Sequence, residues 1–315
     1  MIAGSPGNTR NASVLGSTFL TTAEFVVLAV QVVLTLLAIV LFAELPPSER
    51  HLARFASTYE LRLTDANRPV LAHAIRWSRA WRLGGAVAAV LAHQLVQAAT
   101  GRASGVGIIW LACGYALGAT VGEAVRRHDR TDERPRASMH RRRARDHVRP
   151  WVTWWTAAMC ALAALATLRF WQLGRSGTDA APTHGWTPSP ALAALLVGLV
   201  LIAVAIQLAV ATWTARRPVA LSAPDIDAAQ HAVRSAAIVS LAGCALMSAS
   251  LATSWTMIRV SWLASGRHDA WSNLHGAVHA IAIAGVVVGL TLSLRSIPRF
   301  LPIARPAPGR PAPSS

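Results

Sequence analysis

Five side chains that can bind a ligand or a metal lie inside long apolar runs of this chain. They are His93, Gln94 and Gln97 in one run, and His275 and His279 in another. Histidines four residues apart share one face of a helix, which is the spacing found at many zinc sites. No glutamate lies between His275 and His279, and Asp269 is the nearest carboxylate in sequence. Because a zinc site needs more ligands and a general base, we predict packed or hydrogen-bonded histidines, with no metal and no cofactor.

The common signatures of catalysis are missing from the sequence. It contains no GxSxG elbow, no HExxH and no glycine-rich phosphate loop. Glu24, Glu44 and Glu123 stand at the ends of apolar runs, where membrane-interface residues belong. We therefore predict a protein that is not an enzyme and that is not driven by a proton gradient, since a proton relay needs a carboxylate inside the membrane.

Seven apolar runs dominate the 315 residues, of which 53% are hydrophobic and 14% charged. We place them at 22–44, 83–101, 105–123, 152–172, 190–213, 235–258 and 275–294. Each is near the ~20 residues that a helix needs to cross the hydrocarbon layer. The predicted fold class is an all-α polytopic membrane protein with seven transmembrane helices.

The arginines indicate the orientation of these spans. The eight segments outside the runs contain 1, 7, 1, 10, 1, 3, 2 and 4 arginines in order, and Arg169 lies inside the fourth run. Arginine-rich flanks stay cytoplasmic during insertion, so this alternation places the N-terminus outside and the C-terminus inside the plasma membrane. It also explains the net charge of +16 without nucleic acid. Residues 1–21 become an outer tail, residues 22–300 the membrane domain, and residues 301–315 a disordered, proline-rich cytoplasmic tail.

Two cytoplasmic segments carry further patterns. Ser48 precedes a helical stripe that we expect to lie on the inner leaflet: Leu52, Phe55, Ala56, Tyr59 and Leu63. The segment 124–150 contains ten arginines, including Arg141, Arg142 and Arg143. Such a segment can bind anionic lipid headgroups, although a solvated flank is the plainer interpretation. The lipid bilayer is the one partner that the sequence indicates.

An internal repeat relates the two halves. His73-Ala74-Ile75-Arg76 recurs as His231-Ala232-Val233-Arg234, and in the same alignment Leu83 and Gly85 match Leu241 and Gly243. A GxxxG motif follows in each half, at Gly114 and Gly118 in the first and, after a longer outer connection, at Gly285 and Gly289 in the second. Glycines at this spacing allow close helix packing in membranes. The sequence therefore predicts two parallel three-helix repeats, 22–123 and 190–294, with residues 152–172 as a linker helix.

Two resemblances follow from these motifs. The stretch Gly114-Tyr115-Ala116-Leu117-Gly118, the arginine-rich loop with Arg136-Ala137-Ser138, and the span that begins at Trp151 resemble uncharacterised integral membrane proteins of actinobacteria. Alanine-rich composition without lysine is also typical of a high-GC genome. The arrangement of three, one and three helices is similar to the SWEET sugar transporters, although span 1 lacks their internal proline.

Small and mildly polar stripes run along three of the predicted spans. Gly85, Ala89, His93 and Gln97 share a face of the second span; Ser240, Gly243, Met247, Ser250 and Ser254 follow the sixth; and His275, His279, Ala282 and Gly289 share a face of the seventh. Such stripes suit helix packing or the wall of a narrow cavity. Two functions therefore remain open: a non-enzymatic membrane component or partner subunit, and a small-solute permease with a pathway between the repeats.

The predicted orientation can be tested with reporter fusions. A fusion after Gly177 is expected to report an outside location, and a fusion after Arg134 a cytoplasmic one, because the arginine counts of these two segments are 1 and 10. Alkaline phosphatase and green fluorescent protein activities would be compared at both sites. The reverse pattern, or the same location for both, contradicts the orientation.

Overall fold

The structure is a computed structural model that describes residues 47–100, 107–126, 147–175, 190–216, 223–264 and 271–294. These ranges contain helices and no strand. The helices are α1 Glu49–Thr58, α2 Arg68–Thr100, α3 Gly107–Val125, α4 Pro150–Arg175, α5 Pro190–Arg216, α6 Pro224–Ala264 and α7 Trp271–Leu294. The predicted span at 22–44, both tails and Arg141 to Arg143 lie outside the described residues.

Four of these helices, α4 to α7, are long and apolar enough to cross a membrane. The apolar part of α3 is shorter, at Ile109–Val125. Both α2 and α6 begin well before the spans that we expected at 83 and 235, and include the His-Ala-x-Arg segments. Pro224 fits the first turn of α6 because a proline there loses no helical hydrogen bond, and Asp225 and Asp227 favour the positive end of the helix dipole.

Helix α6 lies at the centre of the bundle. In its apolar part, 89% of the residues are buried. In the apolar parts of α4, α5 and α7 the buried share is 28%, 22% and 22%. It contacts α7, α4 and α5 extensively and also packs against α3 and α2. The surrounding helices keep large apolar side chains exposed, among them Leu165, Ile202 and Val287. This division is expected where α6 packs against protein and the others face lipid on one side.

Different faces of α6 receive different helices. Ala242, Leu246 and Ala249 form one cluster with Val152 and Met159 of α4 and Val204 of α5. Ile238 and Leu241 pack with Ala211 and Ala215 near the end of α5. Cys244 and Met247 pack with Ala116 and Ala119 of α3. Small side chains on α6 thus let four helices approach one axis.

Helix α1 forms where its stripe predicts a helix, but that stripe does not face the inner leaflet. Leu52 and Phe55 are buried in a cluster with Leu71 and Ile75 of α2 and with alanines of α6. The expectation of a membrane-facing stripe was wrong, because α2 and α6 extend beyond their apolar parts and offer a protein surface to cover. Ser48 is the N-cap residue, and its hydroxyl hydrogen bonds to Nδ1 of His51 at 2.8 Å rather than to the backbone.

Glycine allows the α2–α3 and α6–α7 pairs to approach backbone to backbone. A Cβ atom added at Gly85 of α2 would meet the carbonyl of Gly114 and, at 2.8 Å, the amide of Gly118. A Cβ atom added at Gly243 of α6 would meet the carbonyl of Gly289 and the amide of Ser293, both at 2.7 Å. Neither pair could come this close with a side chain at the crossing point.

The two crossings match each other in a register that differs from the expected one. Gly85 lies against Gly114 and Gly118, whereas its counterpart Gly243 lies against Gly289 and Ser293. The GxxxG motifs alone aligned Gly114 with Gly285. The second crossing thus lies one helical turn further along α7 than expected. There Gly289 and Ser293 occupy the positions that Gly114 and Gly118 occupy in the first crossing.

Alanine substitution separates crossing glycines from free ones. We expect Gly118→Ala and Gly289→Ala each to destabilise the protein by about 1–3 kcal/mol, because the new methyl group forces the paired helices apart. Gly84→Ala and Gly276→Ala are matched controls, since nothing lies within 4 Å of a Cβ atom at either position. Thermal unfolding in detergent would measure all four. Equal melting temperatures in the two sets would show that the crossings are not tight.

Candidate functional site: polar clusters in the bundle

The polar stripe of α2 meets α3. The Gln97 side-chain amide donates a hydrogen bond to Nε2 of His93 at 3.1 Å. The His93 ring stacks on Trp110 of α3 with 5.4 Å between centroids and is only 6% exposed. Gln94 is half-buried. Histidine and tryptophan bury their ring faces against each other here, so the His93 side chain is engaged in packing α2 on α3.

The histidines of α7 form a separate group. Nδ1 of His279 and Oγ of Ser254 on α6 are 3.1 Å apart and share a hydrogen bond. His275 is 9% exposed, and its Nδ1 atom has no hydrogen-bond partner among the described residues. The described contacts do not join these histidines to His93. Within the described ranges, no three His, Cys, Asp or Glu side chains are arranged to hold a metal ion.

The small, polar stripe of α6 contacts α7 along its whole length. The hydroxyl of Ser240 donates to the carbonyl of Ser293 at 3.2 Å. Gly243 and Met247 lie against Gly289, and Ser250 lies against Gly285. Ser254 completes the stripe through His279. This stripe therefore forms a helix-packing face, which is one of the two uses that its composition allows.

Arg82 forms an interior cluster that sequence reasoning missed. Its side chain, on α2, is 2% exposed and donates to the carbonyl of Ser293 at 2.8 Å and to the hydroxyl of Tyr115 at 3.2 Å. The guanidinium also faces the Tyr115 ring at 5.7 Å. Glu123 of α3, 4% exposed, lies near enough to attract it electrostatically. One arginine thus joins α2, α3 and α7.

Arg82 hydrogen bonds to a backbone carbonyl at the C-terminal end of α7. Ser293 belongs to the last turn of α7, whose carbonyls have no partner within the helix. A cation at this end also interacts favourably with the helix dipole. The carbonyl accepts from Arg82 of one half and Ser240 of the other. In sequence Arg82 is simply the last of seven arginines before a span, so only its position beside an apolar run could have distinguished it.

A small cavity lies beside this cluster, beneath α1. Its volume is about 20 Å³, enough for a single water molecule. Phe55, Ser78, Arg82, Glu123 and Arg126 are among its lining residues. Arg126 forms an ion pair with Glu123 at 3.6 Å. The cluster is therefore a closely packed set of charged side chains at the end of the bundle that α1 covers.

A larger apolar groove runs along the outer side of the α2–α3 pair. Its volume is about 650 Å³, and small residues of α2 such as Gly84, Ala88 and Ala92 form one wall. Cys113 and Leu117 of α3 form the other. His93, Gln94 and Gln97 do not line either of these two cavities.

Some polar atoms in the interior have no hydrogen-bond partner among the described residues. Gln207 of α5 is 1% exposed and Ser250 of α6 is fully buried, yet Oε1 of Gln207 and Oγ of Ser250 make no such bond. Unpaired polar atoms in an apolar interior cost free energy. They mark the positions where the interior could accept a further polar group.

Comparison with known proteins found no matching family model, no matching curated protein and no matching solved structure. An assignment of function therefore depends on the contacts that the chain's own residues make.

The Arg82 cluster can be tested by substitution. Arg82→Met is expected to destabilise the protein by roughly 1.5–3 kcal/mol, because the Ser293 carbonyl and the Tyr115 hydroxyl lose a charged donor. Arg82→Lys should fall between wild type and Arg82→Met, since lysine keeps the charge without the planar guanidinium. Arg62→Met, at an exposed position, is the control. Thermal unfolding of the detergent-solubilised variants measures the effect. If Arg82→Met and Arg62→Met have the same melting temperature, the Arg82 contacts do not stabilise the bundle.

Proposed function

We propose that this protein is a non-enzymatic component of the plasma membrane, acting as a partner subunit or scaffold rather than as a transporter. The observation that carries this proposal is the use of the polar stripes in helix packing. His93 is engaged by Gln97 and Trp110, and His279 by Ser254. These two histidines, which a transport pathway could have exposed to solute, are instead engaged by neighbouring side chains.

The hydroxyl groups of the central helix support the same proposal. Thr253 donates to the carbonyls of Met159 on α4 and Ala249 on its own helix, at 2.7 and 3.0 Å. Thr256 donates to the carbonyls of Ala252 and Thr253. Hydroxyls bonded in this way strengthen helix contacts in hydrocarbon and are not free to bind a solute.

The finer architecture belongs to the proposal as well. We infer seven spans, with the N-terminus outside, and two parallel three-helix repeats, 22–123 and 190–294, joined by the linker helix. The alternating arginines support the orientation, and the matched crossings at Gly85 and Gly243 support the repeat. In both crossings, a glycine of the second helix lies against a backbone carbonyl of the third helix and against the amide four residues later.

A basic cytoplasmic surface favours contact with anionic headgroups. Arg50 and Arg54 of α1 are exposed, as is Arg62 in the loop that follows. Each arginine near an anionic leaflet contributes about 1 kcal/mol of attraction. With the apolar face of α1 covered by protein, this attraction would hold a bundle against its own leaflet rather than insert α1 into it.

A small-solute permease is the second candidate, and one observation favours it. The amide oxygen of Gln207 and the hydroxyl of Ser250 are buried without a hydrogen-bond partner among the described residues. A pathway between the repeats would supply partners for both. This candidate needs a hydrated route to the middle of the membrane, since transporter sites of this kind lie near the midplane.

Thiol labelling separates the two candidates. Gln97→Cys would be made in a background without Cys113, Cys160 and Cys244 and exposed to a membrane-impermeant thiol reagent from outside. We expect protection, because position 97 packs beside His93 within the α2–α3 pair. Gly177→Cys, in a predicted outer loop, is the positive control and should label readily. Rapid labelling at position 97 would overturn the packed component and favour the permease.

A further inference from the structure

The packing of α5 on α6 provides a template for the first half of the chain. Ala211 of α5 lies in one cluster with Leu241 of α6, and Val204 of α5 lies in another with Ala245. These contacts join the first and second helices of the second repeat. In the first repeat, the second helix is α2, and the first would be supplied by residues 22–44, which precede the described part of the chain.

Residues 22–44 carry a sequence match to α5. Leu28-Ala29-Val30-Gln31-Val32 aligns with Val204-Ala205-Ile206-Gln207-Leu208. Each half thus has a glutamine in the middle of an apolar segment, flanked by the same pattern. The chain between this segment and α2 is longer than the chain between α5 and α6, and α1 with its flanking residues accounts for the difference.

The face of α2 that corresponds to the α5-binding face of α6 differs from its neighbour. In the alignment that pairs Gly85 with Gly243, Leu241 and Ala245 correspond to Leu83 and Val87. On α2, Leu83, Val87, Val90 and Leu91 are half-buried. Their side of the helix lies opposite Gly85, which faces α3. On the face that lines the α2–α3 groove, by contrast, Ala88 and Ala92 are exposed.

The length of chain before α1 fits this face. Residues 22–44 are enough to cross the hydrocarbon layer once as a helix. The described chain begins at Pro47, directly before α1, and α1 packs on the first turns of α2. A segment that ends there must run antiparallel to α2, as α5 runs antiparallel to α6.

We propose that residues 22–44 cross the membrane packed on the Leu83–Val87 face of α2, in the register in which α5 packs on α6. This register places Leu28 beside Val87 and Thr35 beside Leu83, and it positions Gln31 as the counterpart of Gln207. The proposal rests on the repeat inferred above and is independent of whether the protein transports a solute.

The groove between α2 and α3 is the competing surface, and the second half shows why it stays open. The equivalent groove between α6 and α7 is lined by Ala242, Leu246, Val288 and Leu292, and α4 fills it with Val152 and Met159. When Gly85 is aligned with Gly243 and Gly114 with Gly289, these four residues correspond to Gly84, Ala88, Cys113 and Leu117, all of which line the α2–α3 groove. Because residues 28–32 match residues 204–208 of α5, residues 22–44 take the position of α5 and not that of α4.

Disulfide cross-linking distinguishes the two surfaces. Leu28→Cys would be paired with Val87→Cys, and separately with Ala88→Cys, which lies next in sequence but lines the groove. A second pair, Thr35→Cys with Leu83→Cys, checks the register. All variants lack Cys113, Cys160 and Cys244, and copper-phenanthroline oxidation is applied to native membranes. Tryptic peptides ending at Arg50 and Arg102 would be detected by mass spectrometry, with mixed isotope-labelled chains to separate bonds within a chain from bonds between copies.

The expected result is an intrachain bond for Leu28 with Val87 and for Thr35 with Leu83, at least fivefold more abundant than the Leu28–Ala88 bond. A dominant Leu28–Ala88 bond would place the segment in the groove and overturn the proposal. Bonds only between differently labelled chains would assign the Leu83–Val87 face to a second copy and overturn it too. Absence of every bond would have the same consequence. The Gln97 labelling experiment is unaffected by these outcomes, so the function and the packing can fail separately.

Discussion

Close approach of helix backbones is the constraint on which this structure depends. In hydrocarbon, apolar side chains gain nothing by leaving lipid for protein, so helices associate through tight packing and internal hydrogen bonds. Gly85 and Gly243 permit that packing at two crossings, and the run of alanine and serine on α6 extends it to neighbouring helices. Because many side chains of α6 are small, four helices can contact it: α3, α4, α5 and α7. The outer helices then keep their larger side chains for lipid.

The need to satisfy polar groups in an apolar medium determines where the polar residues lie. Ser240 and Thr253 of α6 bond to carbonyls of α7 and α4. His279 of α7 shares a hydrogen bond with Ser254 of α6, and His93 bonds to Gln97 of its own helix. Arg82 follows the same rule at higher charge: it is buried because the open carbonyl of Ser293, the Tyr115 hydroxyl and Glu123 together replace its hydration. Through that one carbonyl, Arg82 also connects the first half of the chain to the second.

The two glycine crossings resemble each other for a physical reason. A crossing that depends on backbone proximity tolerates a shift of one turn, provided that small residues stand four apart, and Ser293 serves at the position of Gly118. Outside the crossings the two helix pairs differ. Helix α4 fills the α6–α7 groove, whereas the α2–α3 groove remains an exposed apolar surface. The chain before α2 forms α1, which covers the extended starts of α2 and α6.

Composition and periodicity were enough to predict an all-helical chain with several membrane-length segments, because bilayer thickness and backbone hydrogen bonding leave few alternatives. Glycine spacing likewise indicated which helix faces could pack closely. Sequence could not tell which of two chemically similar stripes faces a neighbour and which faces lipid, since both are apolar or small. For this reason the burial of Leu52 and Phe55 against protein, the role of Ser293 at the second crossing, and the interior position of Arg82 emerged only from the tertiary structure. An arginine beside a span is identical in sequence whether it serves insertion or closes the end of a distant helix, and only the placement of α7 decides between them.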